Sequence, residues 1–187
     1  MPFTETGFPG LMIFEPQIFE DNRGYFFESY NENVCRAAGI HTNFVQDNQA
    51  RSSYGVIRGL HYQLDPHAQT KLIRVLEGSI LDVVADIRKG SPTYGKVFTI
   101  ELSAENKVQL FIPKGFAHGY SVLSETAEVF YKCDVFWNKE SEGGIFPGDP
   151  ALAIDWKIPE EKRILSKKDT RYPGMEDCAN NFVYHSL

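Results

Sequence analysis

The sequence predicts an all-β protein, an antiparallel sandwich or barrel carrying a few short peripheral helices. Three observations predict it. Short apolar segments rich in β-branched and aromatic residues recur at 11–14, 25–27, 56–63, 72–76, 80–87, 97–102, 108–112, 120–123 and 127–133. Gly7, Gly24, Gly55, Gly78, Gly90, Gly95 and Gly115 fall where such segments must turn. Before the barrel only one stretch reads as a helix, residues 32–38, with Asn31 as N-cap and Gly39 as its C-terminal stop.

The 187 residues, 42% hydrophobic and 24% charged, suit one domain, 1–187, large enough to bury a core. After Pro147 the texture changes. Pro150, Pro159 and Pro173 punctuate a stretch with few apolar runs, so 150–187 is expected to form one or two short helices packed on the barrel. No internal repeat, linker or low-complexity segment interrupts the chain.

A net charge of −6 argues against nucleic acid as a partner, because phosphate backbones call for a basic face. A few clustered arginines still suffice for a small anionic ligand. The start, Met1-Pro2-Phe3-Thr4-Glu5-Thr6, has neither a basic nor an apolar run and reads as no signal peptide. No stretch approaches the roughly 20 apolar residues of a membrane span. Cys35, Cys133 and Cys178 are odd in number and widely spaced, which fits buried or incidental thiols in the reducing cytoplasm.

Three segments carry more chemistry than a sandwich core requires. In Arg58-Gly59-Leu60-His61-Tyr62-Gln63, strict alternation along a strand puts Gly59, His61 and Gln63 on one face and Arg58, Leu60 and Tyr62 on the other. Lys71-Leu72-Ile73-Arg74 sets polar residues into an apolar strand. Ile112-Pro113-Lys114-Gly115-Phe116-Ala117-His118-Gly119-Tyr120 adds a second histidine. Their spacing resembles the two cupin motifs, which implies a jelly-roll barrel. Gly55-x5-His61, Gly78, and Pro113-x-Gly115-x2-His118 are in place. However, Gln63 occupies the second histidine position and Lys71 stands where the glutamate would be. An ammonium has no lone pair to give a metal and repels a divalent cation. With two of the four ligands replaced, the pocket is expected to hold no metal and to be cationic.

A lysine beside a histidine in an apolar barrel suits proton abstraction next to a ketone. Negative charge develops on the carbonyl oxygen, and a fixed donor there is worth about 3–4 kcal/mol. A histidine, ordinarily titrating near about 6.5, is matched to act as base at neutral pH. Inversion needs a second group on the other face, a role a tyrosine phenol can fill.

Asp21-x-Arg23-Gly24-x-Phe26-x-Glu28, Gln46-Asp47-Asn48, Arg58-Gly59-Leu60-His61-x-Gln63, Lys71-Leu72, Asp86-Ile87-Arg88, Ser91-Pro92-Thr93, Leu102-Ser103-x-x-Asn106, Ile112-Pro113-x-Gly115-Phe116-Ala117-His118-Gly119 and Tyr131-Lys132 occur in that order. Together they resemble the dTDP-4-dehydrorhamnose 3,5-epimerase family, which provides the third enzyme of dTDP-L-rhamnose synthesis. The likeness runs from about residue 14 to residue 169.

The resemblance implies roles position by position. His61 would be the base for the C3 and C5 protons of a dTDP-4-keto-6-deoxyhexose, with Asp169 orienting it. Lys71 would be the cation beside the C4 oxygen, and Tyr131 the acid on the other face. Gln46, Asn48, Arg58 and His118 would line the sugar-diphosphate pocket. Arg23, Phe26 and Glu28 would belong to an arm reaching the nucleotide of a neighbouring subunit, hence a homodimer with arm exchange. No cofactor, nucleic acid or membrane is implied.

Two departures stand out. Where the family usually has a tyrosine pair, this chain has Phe136-Trp137, and Phe146-Pro147-Gly148-Asp149-Pro150 replaces a Trp-Asn-Asp-Pro segment. Phe136 and Trp137 retain faces that can stack on thymine or sugar, but not the hydroxyls. Without context, Tyr131 reads as a packing residue, Asp169 as a solvated or capping acid, and Arg23 and Arg58 as surface ion-pair partners. His41, His67 and His185 read as loop or terminal residues. The rival functions are a 3-only epimerase, a metal-dependent cupin and a non-catalytic sugar-binding cupin.

Overall fold

A computed structural model describes residues 2–185. Residue 1 and residues 186–187 of the expected domain lie outside the described residues. The elements are β1 (Phe3–Glu5), β2 (Met12–Phe14), β3 (Phe19–Asp21), β4 (Gly24–Phe26), α1 (Glu32–Ala37), β5 (Gln46–Ser53) and β6 (Ile57–Gln63). They continue with β7 (Lys71–Glu77), β8 (Ser79–Asp86), β9 (Val97–Ser103), β10 (Gln109–Ile112), β11 (Phe116–Val122), β12 (Thr126–Cys133) and β13 (Glu142–Gly144).

Two antiparallel sheets face each other, one in the order β1-β2-β10-β7-β12-β5 and one in the order β13-β6-β11-β8-β9. Strands β3 and β4 form a separate hairpin. This is the antiparallel, jelly-roll class that the sequence predicts. No helix among the described residues is long and apolar enough to cross a membrane.

The period-2 alternation sorts side chains into three layers. Ile73 and Val75 of β7, Ile80 and Val84 of β8, Leu110 and Ile112 of β10, and Val129 of β12 meet between the sheets. Outside the five-stranded sheet, Leu81, Val83 and Ala117 pack against Ile145, Leu152, Trp156, Met175 and Phe182. Trp156 is fully buried there, and its indole N–H donates to the Pro147 carbonyl at 2.8 Å. Outside the six-stranded sheet, Leu72 and Phe111 are covered by Cys35 of α1 and by Ile40. Sealing both outer faces leaves the gap between the sheets as the place where a buried polar group must face a cavity or another polar group.

Several expected boundaries move slightly. Helix α1 ends at Ala37, one residue early, while the Asn31 side chain caps it by accepting from the Asn33 and Val34 amides. The short helices expected after Pro150 are single 3₁₀ turns, Glu160–Lys162 and Asp169–Arg171. Strand β5 escapes the apolar pattern altogether, since its sequence is Gln-Asp-Asn-Gln-Ala-Arg-Ser-Ser.

One expectation is overturned. Arg58 does not share a face with Leu60 and Tyr62. His118 pairs with His61, and Tyr120 pairs with Arg58, so two steps on β11 oppose three on β6. That bulge inserts one residue and reverses the phase. Ile57, Leu60 and Tyr62 therefore face the outer core, while Arg58 turns inward and donates through Nε to Ser52 Oγ of the opposite sheet at 3.0 Å.

The bulge requires close backbones. A Cβ on Gly119 would lie 2.6 Å from the Arg58 carbonyl oxygen and 3.1 Å from the Gly59 Cα. We predict that Gly119→Ala forces β6 and β11 apart and costs about 1–3 kcal/mol of stability. Chemical denaturation against the unsubstituted protein checks this, and an unchanged midpoint would show that the two strands tolerate the methyl group.

Candidate active site

The gap between the sheets opens at one end into a cleft of about 430 Å³ lined by Gln46, Asn48, His61, Tyr62, Gln63, Gln69, Lys71, Tyr131, Trp137 and Glu142. Each strand delivers the residues whose phase points inward. Strand β5 contributes Gln46 and Asn48, β6 contributes His61 and Gln63, β7 contributes Lys71, and β12 contributes Tyr131. His61 thus stands on one sheet, with Lys71 and Tyr131 on the other.

His61 is held by a residue 108 positions away. Its Nε2 donates to Asp169 Oδ1 at 2.7 Å. The Tyr172 ring lies edge-on to the imidazole with centroids 5.7 Å apart. Asp169 is 3% exposed, not a solvated acid. Burial works against its charge, but hydrogen bonds from His61, from the Ser166 side chain and from the Gly59 backbone together hold the carboxyl below its ordinary range. It is a carboxylate at neutral pH. With Nε2 carrying the proton toward Asp169, Nδ1 is the ring nitrogen left with its lone pair.

Lys71 sits where β7 meets β12, opposite Cys133 in the register. Its Nζ lies 5.8 Å from the centroid of the Tyr131 ring. Among the described residues it has no salt-bridge partner. Burial pushes its ammonium below the ordinary lysine value, while Cys133, Asp82 and Glu142 pull the other way. The Tyr131 phenol is pushed up to about 12, chiefly by burial and further by Cys133 and Tyr120. It keeps its proton at neutral pH.

His118 lies directly across from His61 on β11 and is buried, with Nε2 bonded to Asp82 Oδ2 at 2.9 Å. Burial, Lys71 and His61 lower its pKa against the pull of Asp82, so this imidazole is neutral. Gln63, standing in a metal-ligand position, is a structural clamp instead. Its Nε2 donates to the His67 carbonyl at 2.7 Å, and its Oε1 accepts from the Asn138 amide at 2.7 Å. Among the described residues no group of three or more His, Cys, Asp or Glu side chains is arranged to hold a metal ion. The donors left, two imidazoles each tied to its own carboxylate and a lysine, do not fit a cupin metal site.

The residues expected on the nucleotide side are less concentrated. Trp137 lines the cleft, is 56% exposed, and donates its amide to Gln46 Oε1 at 2.9 Å. Neighbouring Phe136 is exposed as well. Arg23, Phe26 and Glu28 do not reach this cleft within the chain. Arg23 pairs with Asp21 on the exposed hairpin, Phe26 leans on Phe19 in solvent, and Glu28 accepts from Asn31.

Some of the site escaped the reading of the sequence. Glu142 lines the cleft and pairs with Lys168 at 2.5 Å. Tyr172 packs on the His61 ring, and Asp82 holds His118. For Asp82 a signal existed, since it is the one acid between Ile80 and Ala85 in an otherwise apolar strand. Nothing marked the other two.

The geometry has counterparts among known proteins. Residues 5–177 match the family model for dTDP-4-dehydrorhamnose 3,5-epimerase. A protein of that name from Shigella flexneri is 51% identical over 170 residues, covering 90% of this chain and 93% of that one. A dTDP-4-dehydrorhamnose 3,5-epimerase from Elizabethkingia anophelis superimposes with a TM-score of 0.90 at 53% identity, over 94% of this chain and 96% of that one. A dTDP-6-deoxy-D-glucose-3,5-epimerase from Legionella pneumophila, solved in complex with dTDP-4-keto-L-rhamnose, gives 0.89 at 46% identity, over 94% and 93%. By sequence and by fold, this chain belongs to the dTDP-4-dehydrorhamnose 3,5-epimerase family.

Proposed function

We propose that the chain inverts C3 and C5 of dTDP-4-keto-6-deoxy-D-glucose to give dTDP-4-keto-L-rhamnose, without metal or cofactor. The observation that carries this reading is the placement of His61 and Tyr131 on opposite sheets across one cleft, with Lys71 beside Tyr131. A sugar ring lying between the sheets presents one face to an imidazole and the other to a phenol.

In this reading His61 Nδ1 takes the proton from the carbon next to the C4 ketone. The C–H electron pair moves into the ring, and the carbonyl becomes an enolate whose oxygen faces Lys71. Asp169 holds the imidazole and stabilises the imidazolium that forms. Tyr131 then delivers its proton to the opposite face of the same carbon, and the enolate collapses back to the ketone. Solvent restores the phenol and takes the proton from His61. The sequence runs once at C3 and once at C5.

Gln46, Asn48, Arg58 and His118 are assigned to the sugar and diphosphate, and Trp137 to stacking on the base. Arg23, Phe26 and Glu28 are assigned to an arm exchanged between two subunits of a homodimer. The apolar exposure of that hairpin supports this, with Phe19, Tyr25 and Phe26 each more than half exposed. The chain is read as a single domain, 1–187, whose 150–187 segment covers the barrel, and as a cytoplasmic enzyme. The second reading, a 3-only epimerase, is favoured by one feature, the loss of the aromatic hydroxyls at Phe136-Trp137.

NMR of dTDP-4-keto-6-deoxyglucose with the enzyme in heavy water tests both readings. Deuterium is expected at C3 and at C5, and incorporation at C3 alone selects the 3-only enzyme. His61→Ala is expected to lose both exchanges and to lower kcat/KM by roughly 10²–10⁴-fold. Full exchange by that variant would falsify the base assignment.

A pH profile tests Lys71. The ammonium is the active form, and burial lowers its pKa, so its charge is lost at a lower pH than an ordinary lysine would lose it. The alkaline limb of kcat/KM should therefore fall below the ordinary lysine value of about 10.4. Lys71→Arg, whose guanidinium does not titrate in this range, should remove that limb. A limb retained by the arginine variant assigns it to another group.

A further inference from the structure

Strand β13 is three residues long and ends in two buried glycines, Gly143 and Gly144. Gly144 lies opposite His61 in the antiparallel pair with β6. A side chain at that position would therefore stand beside the imidazole, on the same face. The backbone of Gly144 does not call for glycine, since its φ lies outside the left-handed region. The space does. A Cβ there would fall 2.5 Å from both Cε2 and Cζ of the Tyr172 ring. Tyr172 thus fills the slot beside His61 that a β13 side chain would otherwise take.

The turn that brings Tyr172 to this slot also brings Asp169. Asp169–Arg171 is a single 3₁₀ turn, and Tyr172 is the residue that ends it. Just beyond, the Pro173 carbonyl accepts from the Phe146 amide at 2.8 Å, which pins the segment against the end of β13. One short stretch of chain therefore grips the imidazole twice. Asp169 Oδ1 accepts from Nε2 at 2.7 Å, and the Tyr172 ring stands edge-on with centroids 5.7 Å apart. The two contacts do different work. The hydrogen bond fixes one nitrogen but lets the ring pivot about it, because the last torsion of a histidine is broad. An aromatic ring against its side removes that freedom. The Tyr172 hydroxyl is buried and has no hydrogen-bond partner among the described residues, so the ring is the working part.

We infer that Tyr172 is a positioning residue whose ring, seated in the space Gly144 leaves, holds the plane of the His61 imidazole and aims Nδ1 at the substrate carbon. This rests on the base role proposed for His61. Tyr172 does not line the cleft and acts through His61.

The test is steady-state kinetics together with solvent deuterium exchange, on four variants and His61→Ala. A reacting group displaced by about 1 Å can cost on the order of 10²-fold in rate. Tyr172→Ala is accordingly expected to lower kcat by roughly 10–10²-fold, with KM within about twofold. Tyr172→Phe, which keeps the ring, should restore kcat. Gly144→Ala should lose kcat as Tyr172→Ala does, because the methyl group and the ring cannot share the slot. The Gly144→Ala/Tyr172→Ala double variant should lose no more than Tyr172→Ala alone. An undiminished kcat in folded Tyr172→Ala overturns the inference. So does a Tyr172→Phe loss as large as that of Tyr172→Ala, or a double variant whose loss is the product of the two single losses. Should Tyr172→Ala not fold, Tyr172→Leu, which keeps apolar bulk without a flat ring, is read in the same way. Exchange retained by His61→Ala sinks the base reading instead, whatever the Tyr172 variants do.

Discussion

The barrel has to keep a lysine ammonium between two sheets, and the polar end of the interior is arranged around that demand. Moving a charge of this size out of water costs several kcal/mol even after relaxation. A direct ion pair would offset the cost, but in the proposed reaction it would also occupy the face of Lys71 that a substrate oxygen must reach. The structure avoids that. Lys71 has a tyrosine ring 5.8 Å from its nitrogen, a thiol across the register, and acids acting on it from other strands rather than in contact. Cys133, Asp82 and Glu142 only partly oppose the burial that favours the neutral amine, and among the described residues Lys71 has no salt bridge of its own.

Rigidity comes from the other end of the same gap. Ile73, Val75, Ile80, Val84 and Val129 fill the space between the sheets with β-branched side chains that hold few rotamers. Both outer faces are sealed as well, one by Trp156, Met175 and Phe182 and the other by the α1 region. The strands delivering Lys71, Tyr131 and His61 thus cannot slide without disturbing packed layers on both sides. In the proposed reaction, base and acid must address opposite faces of one ring. Two sheets at a fixed separation satisfy that requirement by construction.

Much of the fold was legible in the sequence because most strands obey one rule, that inward and outward residues alternate. The rule failed in two places for different physical reasons. Strand β5 lines the cleft with Gln46 and Asn48 and exposes its other face, so neither side is apolar and no pattern survives. In β6 the rule itself is broken. Arg58 turned inward because Gly59 and Gly119 permit a bulge, and a single sequence does not reveal which glycine serves a bulge and which a turn. The site divides along the same line. Lys71 and His118 stood out as polar residues inside apolar strands. Asp169 meets His61 across 108 residues of chain, and only the family resemblance pointed to it.

The site holds two imidazole–carboxylate pairs, and burial decides what each can do. His61 with Asp169 opens onto the cleft, its side chain 33% exposed, so the free ring nitrogen can reach a substrate proton and later exchange it with water. His118 with Asp82 lies deeper, at 7% and 0%, where the same two groups have little access to solvent. A proton moved there would be slow to leave, and the pair is better suited to fixing charge than to shuttling it. Identical functional groups thus sit in opposite surroundings, one open to the cleft and the other closed off, as environment sets the roles of paired acids elsewhere. In the proposed cycle the pair that opens onto the cleft takes the proton. A barrel that buried both pairs alike would leave the proposed base without the solvent with which to exchange its proton.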